Sequence, residues 1–170
     1  MKFDGHSEFL KAAPKRLKDA RELLEAPSLD PNAADATYRH LCGAYYLAGY
    51  AVECVLKAYI ILLLDSRIAE PVARWSHVLQ HLAGQPAWAD LAGKHSHDLG
   101  RLLAVSGLGT AIDQDEQAKR TRGACGKWDY NVRYQPRPMI DRARVEAFVG
   151  ACSTIYHWVR ARLPFREGSD

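Results

Sequence analysis

The stretch YYLAGYAVECVLKAYIILLL, Tyr45–Leu64, decides how this chain is to be read. It is almost wholly apolar, and at about 1.5 Å rise per residue it is long enough to cross a bilayer. Glu53 and Lys57, however, sit near its centre. A charge at the bilayer midplane costs about 2.5–3.5 kcal/mol on insertion scales, and this span would carry both. With the acid first and the lysine four positions on, the two are spaced to pair on one helical face. No other segment approaches this length of apolar sequence. The expectation is the buried central helix of a water-soluble protein, with no membrane contact.

Composition agrees. Of the 170 residues, 48% are hydrophobic and 25% charged, the balance of an ordinary globular domain. That length suits one domain, 1–170, with 166–170 as a frayed tail. The opening MKFDGHSEFL lacks the apolar core of a secretory signal, and Asp4 and Glu8 do not suit a transit peptide. Cys42, Cys54, Cys125 and Cys152 form no CxxC pair. Cys42 and Cys54 on one helix would lie about 18 Å apart, too far to bridge. Buried, reduced thiols and a cytoplasmic location follow.

Working outward, helical spacing dominates and strand alternation is nearly absent. Leu10, Ala13, Leu17, Ala20 and Leu24 form a stripe that passes through Pro14 in phase, which predicts one kinked helix over about 7–25. APSLDPNAAD is a loop with Asp30 as N-cap and Pro31 at the first helical position. The central helix runs from 32 or 35 to 65. It carries one seam through Leu41, Tyr45, Ala48, Val52, Val55, Tyr59 and Leu62, and another through Tyr46, Tyr50, Glu53, Lys57, Ile60 and Leu64. A helix apolar nearly all round is a buried one. Short helices follow at 75–83, at 98–105 with Asp98 as cap, and at 109–120. RGACGKWDYNVRYQPRP reads as a loop, and a last long helix covers 139–163, ended by Pro164. The expected fold is all-α: an up-and-down bundle of three long helices plus short ones.

Charge is uneven. Lys119–Arg144 holds eight basic and two acidic residues, so it is +6 within a chain of net +3. A cationic segment interleaved with Trp128, Tyr130 and Tyr134 suits a phosphate-bearing ligand, with cations on phosphates and rings on bases. A salt-bridged surface loop with its aromatics tucked inward accounts for the same residues.

Three pieces, in order, resemble a known family. AGYAVECVLKAYI (Ala48–Ile60) is similar to the A-x-x-x-x-E-x-x-L-K-A helix of HEPN (higher eukaryotes and prokaryotes nucleotide-binding) domains. HSHDLGRLL (His95–Leu103) is similar to their H-D-L-x-x-L-L element, and WDYNVRYQP (Trp128–Pro136) to the R-Y-P-type segment before their final helix. The resemblance implies a helical bundle, a homodimer, and a nucleotidyltransferase partner in a toxin–antitoxin or defence pair. Many members are metal-independent ribonucleases with an R-x(4–6)-H motif near the start of the last long helix. Here the only histidine after Arg101 is His157, late in the last predicted helix and beyond that spacing from Arg144. Arg74 and His81 have the spacing but precede the H-D-L element.

A carboxylate within a buried helix must be paired. Lys57 is one partner for Glu53, and Arg133 is a second if the basic segment folds back, making Glu53 the structural anchor of that segment. His97 stands beside the cap Asp98, either as a surface residue or facing the basic segment to touch phosphate. His77, His81, His95 and His97 lack the cysteine or carboxylate that would make a zinc set, so no metal is expected. SGLGTA (Ser106–Ala111) lacks the lysine and preceding strand of a phosphate loop, and no cofactor is expected.

The sequence therefore points to a non-catalytic or weakly catalytic nucleotide- or RNA-associated module. Its candidate ligand surface is Arg122, Lys127, Trp128, Arg133, Tyr134 and Arg137. Two alternatives stand: a metal-independent endoribonuclease with a non-standard pair drawn from His97, Arg101, Arg74 and His81, and a helical dimerisation scaffold without nucleic acid.

Overall fold

In a computed structural model the described residues are 4–26, 34–67, 72–82, 91, 96–134 and 141–164, with the side chains of 34–39, 133 and 134 left aside. They form an all-α helical bundle. Its helices are α1 His6–Glu25, α2 Ala34–Asp65, α3 Trp75–Leu82, α4 Leu99–Ser106, α5 Gly109–Asp113, α6 Glu116–Cys125 and α7 Arg142–Arg160, with a 3-10 helix at Tyr130–Tyr134 between α6 and α7.

The hub is α2. Ala51, Val52, Glu53, Cys54, Val55, Leu56, Lys57 and Ala58 are consecutive and all buried, so the middle of this helix faces protein on every side. Its most extensive partner is α1, followed by α7, α4 and the 3-10 helix. Within the described residues His40–Asp65 is long and apolar enough to cross a membrane, and two thirds of its most apolar window is buried against those neighbours. That burial is what a core helix requires.

The short elements dock by capping. Glu8 Oε2 accepts the Gly5 N–H at 2.7 Å and starts α1. Asp4 then holds α3: its carbonyl accepts the Trp75 N–H at 2.7 Å and its Oδ2 accepts the Ser76 hydroxyl at 2.6 Å. As expected, Asp98 caps α4, accepting from the Arg101 N–H at 3.0 Å. Gly107 closes α4 at φ 71°, a left-handed conformation that glycine adopts at little cost. Along α1 the stripe runs unbroken through Pro14, with Phe9 buried and Leu10 only half-buried.

Three boundaries differ from the sequence reading. The helix expected over 109–120 is divided, because Asp115 breaks it to cap α6: its Oδ1 accepts the Ala118 N–H at 3.0 Å while Oδ2 accepts Trp158 Nε1 at 2.8 Å. The segment from 121 onward, read as loop, stays helical to Cys125, which is drawn into the core against α7. The last helix is shorter than 139–163, starting after the cap Asp141 (Arg144 N–H, 2.7 Å) and ending at Arg160. The Asp30–Pro31 start of α2 and the tail 166–170 lie outside the described residues.

Candidate functional site

Glu53 lies just past the middle of α2 and is 1% exposed, with Lys57 one turn on at 5%. Its Oε1 accepts Lys57 Nζ at 2.7 Å and also meets His97 Nδ1 at 3.0 Å. A carboxylate can only accept, so Nδ1 carries the hydrogen and Nε2 is the acceptor of the neutral ring. Glu53 Oε2 is buried and has no hydrogen-bond partner among the described residues. The Lys57 ammonium lies 5.0 Å from the Trp75 ring centre and 5.9 Å from that of Phe9, which stabilises a cation removed from water.

His97 is the link outward. Its side chain is 43% exposed, and its ring meets Tyr130 of the 3-10 helix at 5.1 Å between centres. Tyr130 in turn packs on Trp128 at 6.4 Å. Trp128 is seated on α2 over Gly49, where a Cβ would run into the indole, and beside Tyr46 at 6.1 Å. Tyr45 completes the attachment by donating its hydroxyl to the Lys127 carbonyl at 3.1 Å. The segment after α6 thus folds back onto the hub.

The expected contacts are partly replaced. Glu53 takes Lys57, as its spacing predicts, and His97; the side chain of Arg133 lies outside the described residues. Trp128 is 9% exposed and faces Gly49, so it serves as an anchor and its ring face is unavailable to a base. Arg122 is exposed but bound to Asp113 at 2.9 Å. Lys127 is exposed. Tyr134 contributes its backbone to the 3-10 helix, its side chain and Arg137 falling outside the described residues. Arg101 is half-buried, its Nε 3.9 Å from Asp98 Oδ2. Arg74 and His81 are both exposed, at opposite ends of α3 and about 10 Å apart along its axis. No side-chain bond joins them among the described residues. His97 is not an isolated surface residue: it bridges the buried acid and the basic segment, with its side chain still 43% exposed.

Sequence reasoning missed Gly49, Tyr45 and Tyr46 as the α2 side of the docking, while Trp128 and Tyr130 turn inward as one of its two readings of the segment had them. One signal was present, a lone glycine within a strongly apolar helical stretch, which often marks close approach by another group.

Electrostatics around the hub suppress reactivity. Burial, reinforced by the negative charge of Glu53, pushes the Cys54 thiol up to about 12. Burial likewise raises the Tyr50 hydroxyl well above the ordinary phenol range. A separate cavity of about 320 Å³ lies between α6 and α7, lined by Asp115, Gln117, Ser153, Thr154, His157 and Trp158. Among the described residues no three His, Cys, Asp or Glu side chains gather to hold a metal ion. Comparison with protein-family models, with curated proteins and with solved structures finds no match for this chain.

Proposed function

We propose that this chain is a non-catalytic or weakly catalytic nucleotide- or RNA-associated module that binds through the cationic segment from α6 to α7. One observation carries the reading: the segment is pinned to the buried Glu53 through His97 and Tyr130, with Lys119, Lys127 and Arg144 exposed along it. Ordering a cationic segment on a rigid helix reduces the entropy lost when it binds a polyanion. Phosphates are recognised by such cations in a salt-dependent way. The HEPN resemblance adds a homodimer and a nucleotidyltransferase partner to the proposal, within a cytoplasmic toxin–antitoxin or defence pair.

The test is fluorescence anisotropy with a labelled single-stranded oligoribonucleotide over a salt series. Affinity should fall with salt, the logarithmic slope being about −0.7 for each phosphate neutralised. A Lys127→Glu/Arg144→Glu variant should bind at least about tenfold more weakly at low salt, with a shallower slope. A folded variant that binds as wild type overturns the proposed surface. No binding by wild type at low salt, together with a stable dimer, favours the dimerisation scaffold.

A second reading, the metal-independent endoribonuclease, is favoured by the orientation of His97. Glu53 holds its Nδ1, which in the neutral ring leaves Nε2 as the acceptor that general-base chemistry needs. Cleavage of structured RNA without added metal, abolished in His97→Ala, is its expected result. Wild type that leaves RNA intact removes it.

A further inference from the structure

Two thiols of different helices meet inside this protein. Cys125, the last residue of α6, and Cys152, in the middle of α7, lie with their sulfur atoms 3.7 Å apart, and neither is exposed. Cys42 and Cys54 are both on α2, about 18 Å apart along its axis, and neither sulfur is brought to another. A disulfide bond needs about 2.05 Å between sulfurs, so the α6–α7 pair is one small side-chain adjustment from bonding distance.

We propose that Cys125 and Cys152 form an oxidisable dithiol, a modification site whose bridge closes residues 126–151 into a covalent loop. That loop contains the 3-10 helix, the docking residues Trp128 and Tyr130, and the first half of α7. The bridge fastens the root of the cationic segment, whether or not that segment binds nucleic acid. The oxidant is a small-molecule disulfide such as oxidised glutathione. The Cys125 thiolate attacks one of its sulfurs and expels one glutathione thiolate, giving a mixed disulfide. The Cys152 thiolate then attacks the Cys125 sulfur, forming the internal bond and expelling the second. The protons lost by the two cysteines end on the two glutathione thiols, and two electrons pass from protein to oxidant.

Access sets the rate. Cys125 leads because it ends its helix, followed at once by the exposed Gly126 and Lys127, so a local opening at this end uncovers it. Burial and the neighbouring Cys125 hold the Cys152 thiol well above its ordinary range, so it reacts second, once its partner carries a leaving group.

The experiment incubates the native full chain with oxidised glutathione, alkylates the remaining thiols under denaturing conditions, and reads intact mass and linked peptides. The expected product has lost two hydrogen atoms, carries a Cys125–Cys152 linkage, keeps Cys42 and Cys54 alkylated, melts several degrees higher, and reverts with dithiothreitol. Cys152→Ser should stop at glutathione on Cys125, with no internal bond. The proposal is overturned if the native chain keeps four thiols while the urea-unfolded chain oxidises. It is equally overturned if the native bridges include Cys42 or Cys54, or match the mixture formed by the unfolded chain.

Discussion

Replacing Glu53 by leucine tests the central physical claim, that a buried carboxylate on α2 neutralises one cation and directs a second group. The substitution leaves the Lys57 ammonium, with a side chain 7% exposed, without its 2.7 Å partner, and strands the His97 Nδ1–H. Removing one member of a buried pair costs about 3–5 kcal/mol. The Trp75 and Phe9 rings beside the ammonium offset part of this, up to about 2 kcal/mol when desolvated, so the low end near 3 kcal/mol is expected. With a urea m-value of about 2 kcal/mol/M, the unfolding midpoint should fall by about 1.5 M. The double variant Glu53→Leu/Lys57→Met removes both charges and fills the space with apolar atoms. Buried pairs exchanged in this way are often neutral, so it should recover most of the loss. Urea unfolding of wild type, both single variants and the double variant gives the coupling energy directly. A Glu53→Leu cost below about 1 kcal/mol, or a double variant as unstable as the single, refutes the reasoning.

Gly49→Ala should push the Trp128 indole off its seat, costing about 1–3 kcal/mol, and increase tryptic cleavage at Lys127; unchanged cleavage and stability count against the docking. Asp115 is held below the usual carboxylate range by the Ala118 N–H and then by Trp158 Nε1. Its stabilising contribution is therefore full above the unfolded value of about 3.9 and is lost as pH falls through its own lower value. The stability difference between wild type and Asp115→Asn should shrink as pH falls below about 4, and a constant difference across that range contradicts the assignment. Cys54, pushed up to about 12, should resist iodoacetamide in the native protein at pH 8 and react only on unfolding; prompt native alkylation would show that the hub is open.

The sequence by itself determined the helical class, the hub and its ion pair. Those are local properties: a stripe repeats every three or four residues, a helix apolar all round must be covered, and an acid four residues before a lysine meets it on one face. The cap Asp98 was legible for the same reason, since a cap and its N–H are three residues apart. Only the tertiary structure decided where the long-range partners lie. His97 reaching Glu53 across 44 positions, Trp128 closing on Gly49, and Cys125 meeting Cys152 have no periodic signature, because each depends on how whole helices cross. The division of the helix at Asp115 belongs with them, since it turns on Trp158, 43 residues away in α7, donating to the same carboxylate. Chain distance carries no information about such meetings, and the packing of the hub does.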